Sequence, residues 1–168
     1  AAASAVLFLL GRGSPGTSAG EVGLILNKRS RRVRQPGDLC CPGGSVARLD
    51  FHAARLLALP FGTFGRWPHR RTWRRERPLE GRWLALYLAT ALRESFEEMR
   101  LNPLRVRFLG PLPPNRLQLF RRAIYPLAAF AQRISGERGA VRTLVPAGVP
   151  PHDYEPTPRD LVALGRAR

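Results

Sequence analysis

The stretch Arg93-Glu94-Ser95-Phe96-Glu97-Glu98 decides how this chain folds. It lies in the strongest helical pattern of the sequence, predicted over Trp83–Met99. At about 100° per residue, Glu98 falls about 40° from Glu94 and Glu97 about 60° to the other side. Thr90 stands beside them. Leu88, Leu92, Phe96 and Met99, with Ala85 and Ala89, gather opposite as one apolar stripe. One face is therefore expected in a core, and the other concentrates negative charge within about a turn. Like charges at (i, i+4) destabilise a helix by a few tenths of a kcal/mol, and Arg93 offsets part of this by reaching Glu97. Hard divalent cations such as Mg²⁺ or Mn²⁺ take several oxygen ligands, and carboxylates supply both oxygen and charge. The segment alone leaves two readings open: a metal site and a solvated acidic face.

That acidic face stands out against the charge of the whole chain. The 168 residues hold 28 Lys+Arg against 12 Asp+Glu, formally +16. Lys28 is the single lysine. Such a chain is drawn to polyanions, although arginine bias can also reflect a coding preference. Apolar residues make up 44%, enough for a core and too many for a wholly disordered chain. The length suits one domain over residues 1–168. Cys40 and Cys41 are adjacent, which fits neither a disulfide framework nor a four-ligand zinc site. They read as small core fillers in a cytoplasmic protein. No apolar run reaches the roughly 18–20 residues of a membrane span, so no membrane partner is expected. A basic nucleic-acid-binding module is the rival class. It would explain the net charge but not carboxylates that repel a phosphate backbone.

Outward from the helix, Ser4–Leu10 and Glu21–Lys28 read as strands joined by a Gly/Ser/Pro-rich loop. A basic loop over Arg29–Asp38 leads to Leu39–Cys41 and the turn Pro42-Gly43-Gly44. Residues 51–82 are crowded with arginine and hold Trp67, Trp73, His52 and His69. Ala53–Leu59 is helix-like, and Pro60, Pro68 and Pro78 interrupt the remainder. This segment reads as an insertion or lid lying off the core. Beyond the helix, Leu101–Pro103 is its end, Val106–Leu109 a strand and Pro111–Pro114 a turn. Arg122–Ala131 is a strand weakened by Pro126, and Val141–Val145 another. Residues 146–168 read as an irregular tail with a short helix at Arg159–Leu164, open to being a truncated end. Nothing beyond about residue 135 carries a recognisable motif.

Taken together, the glycine turn and the acidic helix resemble the Nudix box, G-x5-E-x7-R-E-U-x-E-E-x-G-U, where U is aliphatic. Gly44, five residues and Asp50 match its first part, with Asp for Glu. Arg93-Glu94-Ser95-Phe96-Glu97-Glu98-Met99-Arg100-Leu101 matches its second. Ser95 replaces an aliphatic residue, Arg100 replaces Gly, and 42 residues stand between Asp50 and Arg93 instead of 7. Upstream, Leu24-Ile25-Leu26-Asn27-Lys28-Arg29-Ser30, Arg34, Gly37 and Pro42-Gly43-Gly44 resemble the signature of the coenzyme A pyrophosphatase branch. Asn27 stands for its Thr and Cys41 for its Phe.

The resemblance implies an α/β/α sandwich with a mixed β-sheet, carrying the arginine-rich insertion at about 51–82. It implies a metal-dependent pyrophosphohydrolase acting on a nucleoside diphosphate derivative, first of all coenzyme A. Glu94, Glu97 and Glu98, with the Gly44 carbonyl, are then the ligands of Mg²⁺ or Mn²⁺. Glu94 is also a candidate base that orients water. Arg93 pairs with a box carboxylate and holds loop and helix in register, and Asp50 is a supporting acid. Arg29 and Arg34, with Gly43 and Gly44, are candidates for substrate contact. Trp67, Trp73 and Trp83 read as packing residues, with Trp67 and Trp73 also able to stack on an adenine. His52 and His69 read as surface residues. A homodimer is compatible with this reading. So is a degenerate Nudix domain that binds nucleotides without cleaving them.

Overall fold

The computed structural model describes residues 2–12, 22–28, 39–117, 122–131 and 140–143. In chain order these form β1 (Ala2–Arg12), β2 (Val22–Lys28), β3 (Leu39–Cys40), β4 (Gly43–Ser45), α1 (Arg48–Leu57), α2 (Arg70–Glu76) and α3 (Pro78–Met99). A 3₁₀ turn (Pro103–Arg105) then leads to β5 (Val106–Pro111), β6 (Asn115–Leu117), β7 (Arg122–Ala131) and β8 (Ala140–Thr143). The fold is mixed α/β. Arg29, Arg34, the tail beyond residue 146 and its expected helix at Arg159–Leu164 lie outside the described residues.

The sheet is mixed because, among the described residues, one strand pair is parallel and the rest are antiparallel. β1 and β7 run parallel along their whole length, from Ala2 opposite Arg122 to Gly11 opposite Ala131. The other pairings are antiparallel. β1 pairs with β2 over Leu9–Arg12, and then the two strands part. Residues 39–45 fill the fork. β3 pairs with the end of β2, and β4 pairs with the start of β1. The Leu7 N–H donates to Pro42 O at 2.8 Å between them. The Gly-Gly segment expected as a turn is thus a strand. It had to be glycine at Gly43, where a Cβ would overlap the backbone of Ala5 and Val6.

Pro126 sits inside β7, flanked by strands on both sides. Its N and its carbonyl point the same way, and the carbonyl accepts from Leu112 N–H at 2.9 Å. That is the bend where β5, paired up to Pro111 opposite Leu127, gives way to β6, which resumes at Asn115 opposite Ile124. The missing N–H therefore falls where the neighbouring ladder is already interrupted.

Side chains alternate along the strands, as a half-buried sheet requires. Ala5, Leu7 and Leu9 of β1, Val106 and Phe108 of β5, and Leu127, Ala129 and Ala131 of β7 are buried in one core. α3 packs on this face, and α1 and α2 pack on α3. α3 starts at Pro78, earlier than the expected Trp83, because proline is well tolerated in a first turn. It ends at Arg100, whose φ of 59° is left-handed and whose N–H donates to Phe96 O at 2.9 Å.

Two expectations are corrected. Phe96 does not belong to the buried stripe; it is 46% exposed, and Ser95 is fully buried instead. The Ser95 hydroxyl donates to Ala91 O at 2.6 Å, which satisfies it inside the core. The buried arc therefore passes through Leu88, Ala91, Leu92, Ser95 and Met99. Residues 51–82 do not lie off the core. Phe64 and Trp67 are buried in it against Phe108. Trp67 Nε1 donates to Leu109 O at 3.0 Å, and the Thr63 hydroxyl donates to Pro103 O at 2.7 Å. The prolines punctuate this segment without excluding it from packing.

Candidate functional site

α1 begins at Arg48 because Asp50, at its third position, caps it. The Ala47 N–H donates to Asp50 Oδ2 at 2.8 Å. The same buried carboxylate accepts from the Thr90 hydroxyl at 2.8 Å and from Arg93 Nε at 2.8 Å. Burial would push this acid up, but the bonds from Arg93, Ala47 and Thr90, with the charge of Arg93, hold it below the ordinary carboxylate range. Arg93 in turn is raised, first through its bond to Asp50.

Arg93 is the joint of the site. Besides Asp50, its guanidinium donates to Ser45 O in β4 at 3.1 Å, to Glu94 Oε1 at 2.8 Å and to Glu97 at 3.1 and 3.2 Å. One side chain thus ties the β4–α1 connection to two acids of α3. The pairing expected of Arg93 with a neighbouring carboxylate is present, and it extends to Asp50, Glu94 and Glu97. Asp50 is the fully buried member of this cluster.

Gly44 comes against Glu94. A Cβ at Gly44 would overlap the Glu94 carboxylate, so only glycine lets strand backbone and acid approach this closely. Glu98 is reached by Asn27 of β2, whose Nδ2 donates to Glu98 Oε2 at 3.0 Å. Asn27 is buried. It entered the sequence reading only as a replacement for Thr, and nothing in its local pattern foretold a contact 71 positions away.

Glu94, Glu97 and Glu98 thus lie within the last turns of α3, and Gly44 stands next to Glu94. Among the described residues, no group of three or more His, Cys, Asp or Glu is gathered to hold a metal ion. Arg93 engages Glu94 and Glu97, while Asn27 engages Glu98. In donor type the set fits a hard divalent cation: carboxylate oxygens beside a glycine-lined backbone. His52 and His69 are exposed, as expected. Cys40 and Cys41 are half-buried and form no disulfide among the described residues. Burial, then the neighbouring Cys40, pushes the Cys41 thiol up to about 11, which suits a filler and not a nucleophile. Among the described residues, no helix is long and apolar enough to cross a membrane.

Comparison with known proteins gives two separate likenesses. A family model described as ZnuA, zinc-uptake complex component A periplasmic, matches residues 123–168. The high-affinity zinc uptake system protein ZnuA of Bacillus subtilis (strain 168) is 46% identical over 40 residues, 24% of this chain and 12% of that protein. The chain thus spans about an eighth of that relative's length. Most of the family-model match lies beyond residue 135, where the sequence carries no recognisable motif, and it does not reach Asp50 or α3. Among solved structures, the chain is similar to the Nudix hydrolase RenU from M. smegmatis, with a TM-score of 0.46, 15% identity and coverage of 85% and 69% of the two chains. It is similar to the Ap4A hydrolase of C. elegans, with a TM-score of 0.48, 11% identity and coverage of 85% and 80%. A NUDIX hydrolase from Alicyclobacillus acidocaldarius gives a TM-score of 0.47, 14% identity and coverage of 85% and 78%.

Proposed function

We propose that the chain is a metal-dependent pyrophosphohydrolase of the Nudix type, cleaving the diphosphate of a nucleoside diphosphate derivative, with coenzyme A as first candidate. The observation that carries the reading is the Asp50–Arg93 clamp. It brings the Gly44 backbone against Glu94 on the helix segment that also bears Glu97 and Glu98.

Glu94, Glu97 and Glu98, with the Gly44 carbonyl, would hold Mg²⁺ or Mn²⁺. Such an ion, when bound, neutralises phosphoryl oxygens and lowers the pKa of a bound water. The chain's own residues do the remainder. Arg93 positions Glu94 and Glu97 relative to β4. Glu94, only 19% exposed at its side chain, orients the water that attacks phosphorus. Asn27 fixes Glu98. Arg29 and Arg34, outside the described residues, are the candidates for meeting the diphosphate with guanidinium forks. Phosphoryl transfer needs mainly positioning and charge neutralisation, which this arrangement supplies.

The test is a Mg²⁺ and Mn²⁺ screen against coenzyme A, ADP-ribose, NADH and dinucleoside polyphosphates. Glu97→Gln is expected to abolish metal-dependent hydrolysis, and full activity in that variant overturns the assignment. A second reading is favoured by one observation: Arg93 and Asn27 already engage all three acids of the face. In that reading the domain binds nucleotides without cleaving them, and calorimetry shows nucleotide binding with no product.

A further inference from the structure

At the other end of α3 the structure holds a second feature, which does not depend on the hydrolytic reading. A cavity of about 570 Å³ opens between α1, α2 and the first turns of α3. Its last residue on α3, Leu86, lies about 12 Å along the helix axis from Glu94. The volume is in the range of clefts that enclose a small organic ligand. Its floor is apolar and buried: Ala54, Phe64, Ala85 and Leu86. Its rim carries Phe51, Leu79 and Trp83, each more than half exposed.

The polar lining has one sign. Among the described residues, Arg55, Arg74 and Arg82 border the cavity and no acidic residue does. None of the three forms an ion pair with a described residue. Glu80, on the same turn of α3, is held by Arg77 at 3.2 Å. A solvated basic surface explains unpaired arginines, but not their grouping around an apolar hollow with exposed aromatic and aliphatic walls. Nor does a polyanion such as RNA suit an apolar floor.

We propose that this cavity binds a free amphipathic anion: an alkyl or aryl body in the hollow, with one carboxylate, sulfonate or phosphate head on Arg55, Arg74 and Arg82. Guanidinium forks match such heads, and the apolar floor gains from covering the body. A concave floor encloses one molecule, which favours the monomeric amphiphile over a bilayer surface.

Titration calorimetry of the full chain with decanoate is the test, with decanol and inorganic phosphate as controls. Decanoate is expected to bind with one-to-one stoichiometry, and phosphate alone not to compete. Arg74→Glu combined with Arg82→Glu is expected to weaken decanoate at least about tenfold, while decanol binding stays within about threefold. Both arginines are exposed, so the fold is not at stake, and circular dichroism checks that it is intact. Ala85→Phe, which fills the hollow, is expected to weaken decanoate and decanol alike. Absence of decanoate binding overturns the proposal, as does equal binding by the charge-reversed variant. Competition by phosphate overturns it in favour of a simple anion site. Sedimentation with phosphatidylglycerol vesicles without binding of the monomer overturns it in favour of a membrane contact.

Discussion

Asp50→Asn removes one charge and barely changes shape, so it isolates what the buried clamp contributes. The carboxylate accepts from Ala47 N–H, the Thr90 hydroxyl and Arg93 Nε, each at 2.8 Å. An amide has one acceptor oxygen. If that oxygen takes the place facing Ala47 and Thr90, the NH₂ group confronts the Arg93 guanidinium. If it is turned, the NH₂ group confronts the Ala47 N–H. Either way a donor at a buried site loses its partner, at about 1–3 kcal/mol. Breaking a buried ion pair from one side costs about 3–5 kcal/mol. Arg93 is 19% exposed and keeps Glu94, Glu97 and Ser45, which lowers the loss. The expected destabilisation is about 3 kcal/mol, or a fall in Tm of about 6–12 °C for a chain of this size. Urea unfolding followed by circular dichroism gives the first figure and thermal melting the second. Glu97→Gln is the control, because Glu97 is 54% exposed and its pair with Arg93 is worth less than about 1 kcal/mol. A loss below about 1 kcal/mol in Asp50→Asn, or an equal loss in the control, refutes the clamp as the organising interaction.

Other consequences follow from the same geometry. The Asp50 carboxyl is depressed in the folded state, so its stabilisation is present above the unfolded value of about 3.9 and is lost as pH falls through the folded one. Tm is expected to drop steeply below about pH 4 in the native chain and more shallowly in Asp50→Asn, read by melting across a pH series. Arg100→Gly relieves a left-handed backbone at φ 59° but removes the Arg100 guanidinium from the face of Phe96. The expected net gain is about 0.5–1 kcal/mol, measured by urea midpoint, and a loss contradicts the cap assignment. Gly43→Ala would collide with β1 backbone and is expected to cost about 2 kcal/mol or more. At Gly44 the nearest atoms an added Cβ would meet are those of the Glu94 carboxylate end, so Gly44→Ala is expected to displace that carboxylate and weaken Mn²⁺ binding, at a smaller stability cost than Gly43→Ala.

The strands β1, β2, β5 and β7 and the long helix were legible because their periodicity is strong, and Arg93 with its acids was legible from spacing on that helix. The start of α1 was missed because its cap is Asp50, a residue whose partners Thr90 and Arg93 lie more than 39 positions away. Residues 51–82 looked peripheral because arginines and prolines dominate them; Phe64 and Trp67 enter the core through contacts with β5 that no local pattern encodes. Phe96 leaves the expected apolar stripe, and Ser95 takes a buried position beside it. The serine satisfies its hydroxyl within its own helix, and the helix can then turn Phe96 outward against Arg100. Asn27 was invisible for the same reason as Asp50, since its partner Glu98 is set by the packing of sheet on helix.

The central claim is that the Glu94–Glu97–Glu98 face, held to Gly44 by Arg93, is a divalent-cation site that serves diphosphate hydrolysis. Mn²⁺ titration of the full chain, followed by electron paramagnetic resonance, tests it most directly, with coenzyme A hydrolysis assayed on the same samples. The native chain is expected to bind Mn²⁺ and to release two phosphorus-bearing products. Glu97→Gln and Glu98→Gln are expected to lose both properties while keeping the native melting profile. Mn²⁺ binding and turnover undiminished in both variants would contradict the account.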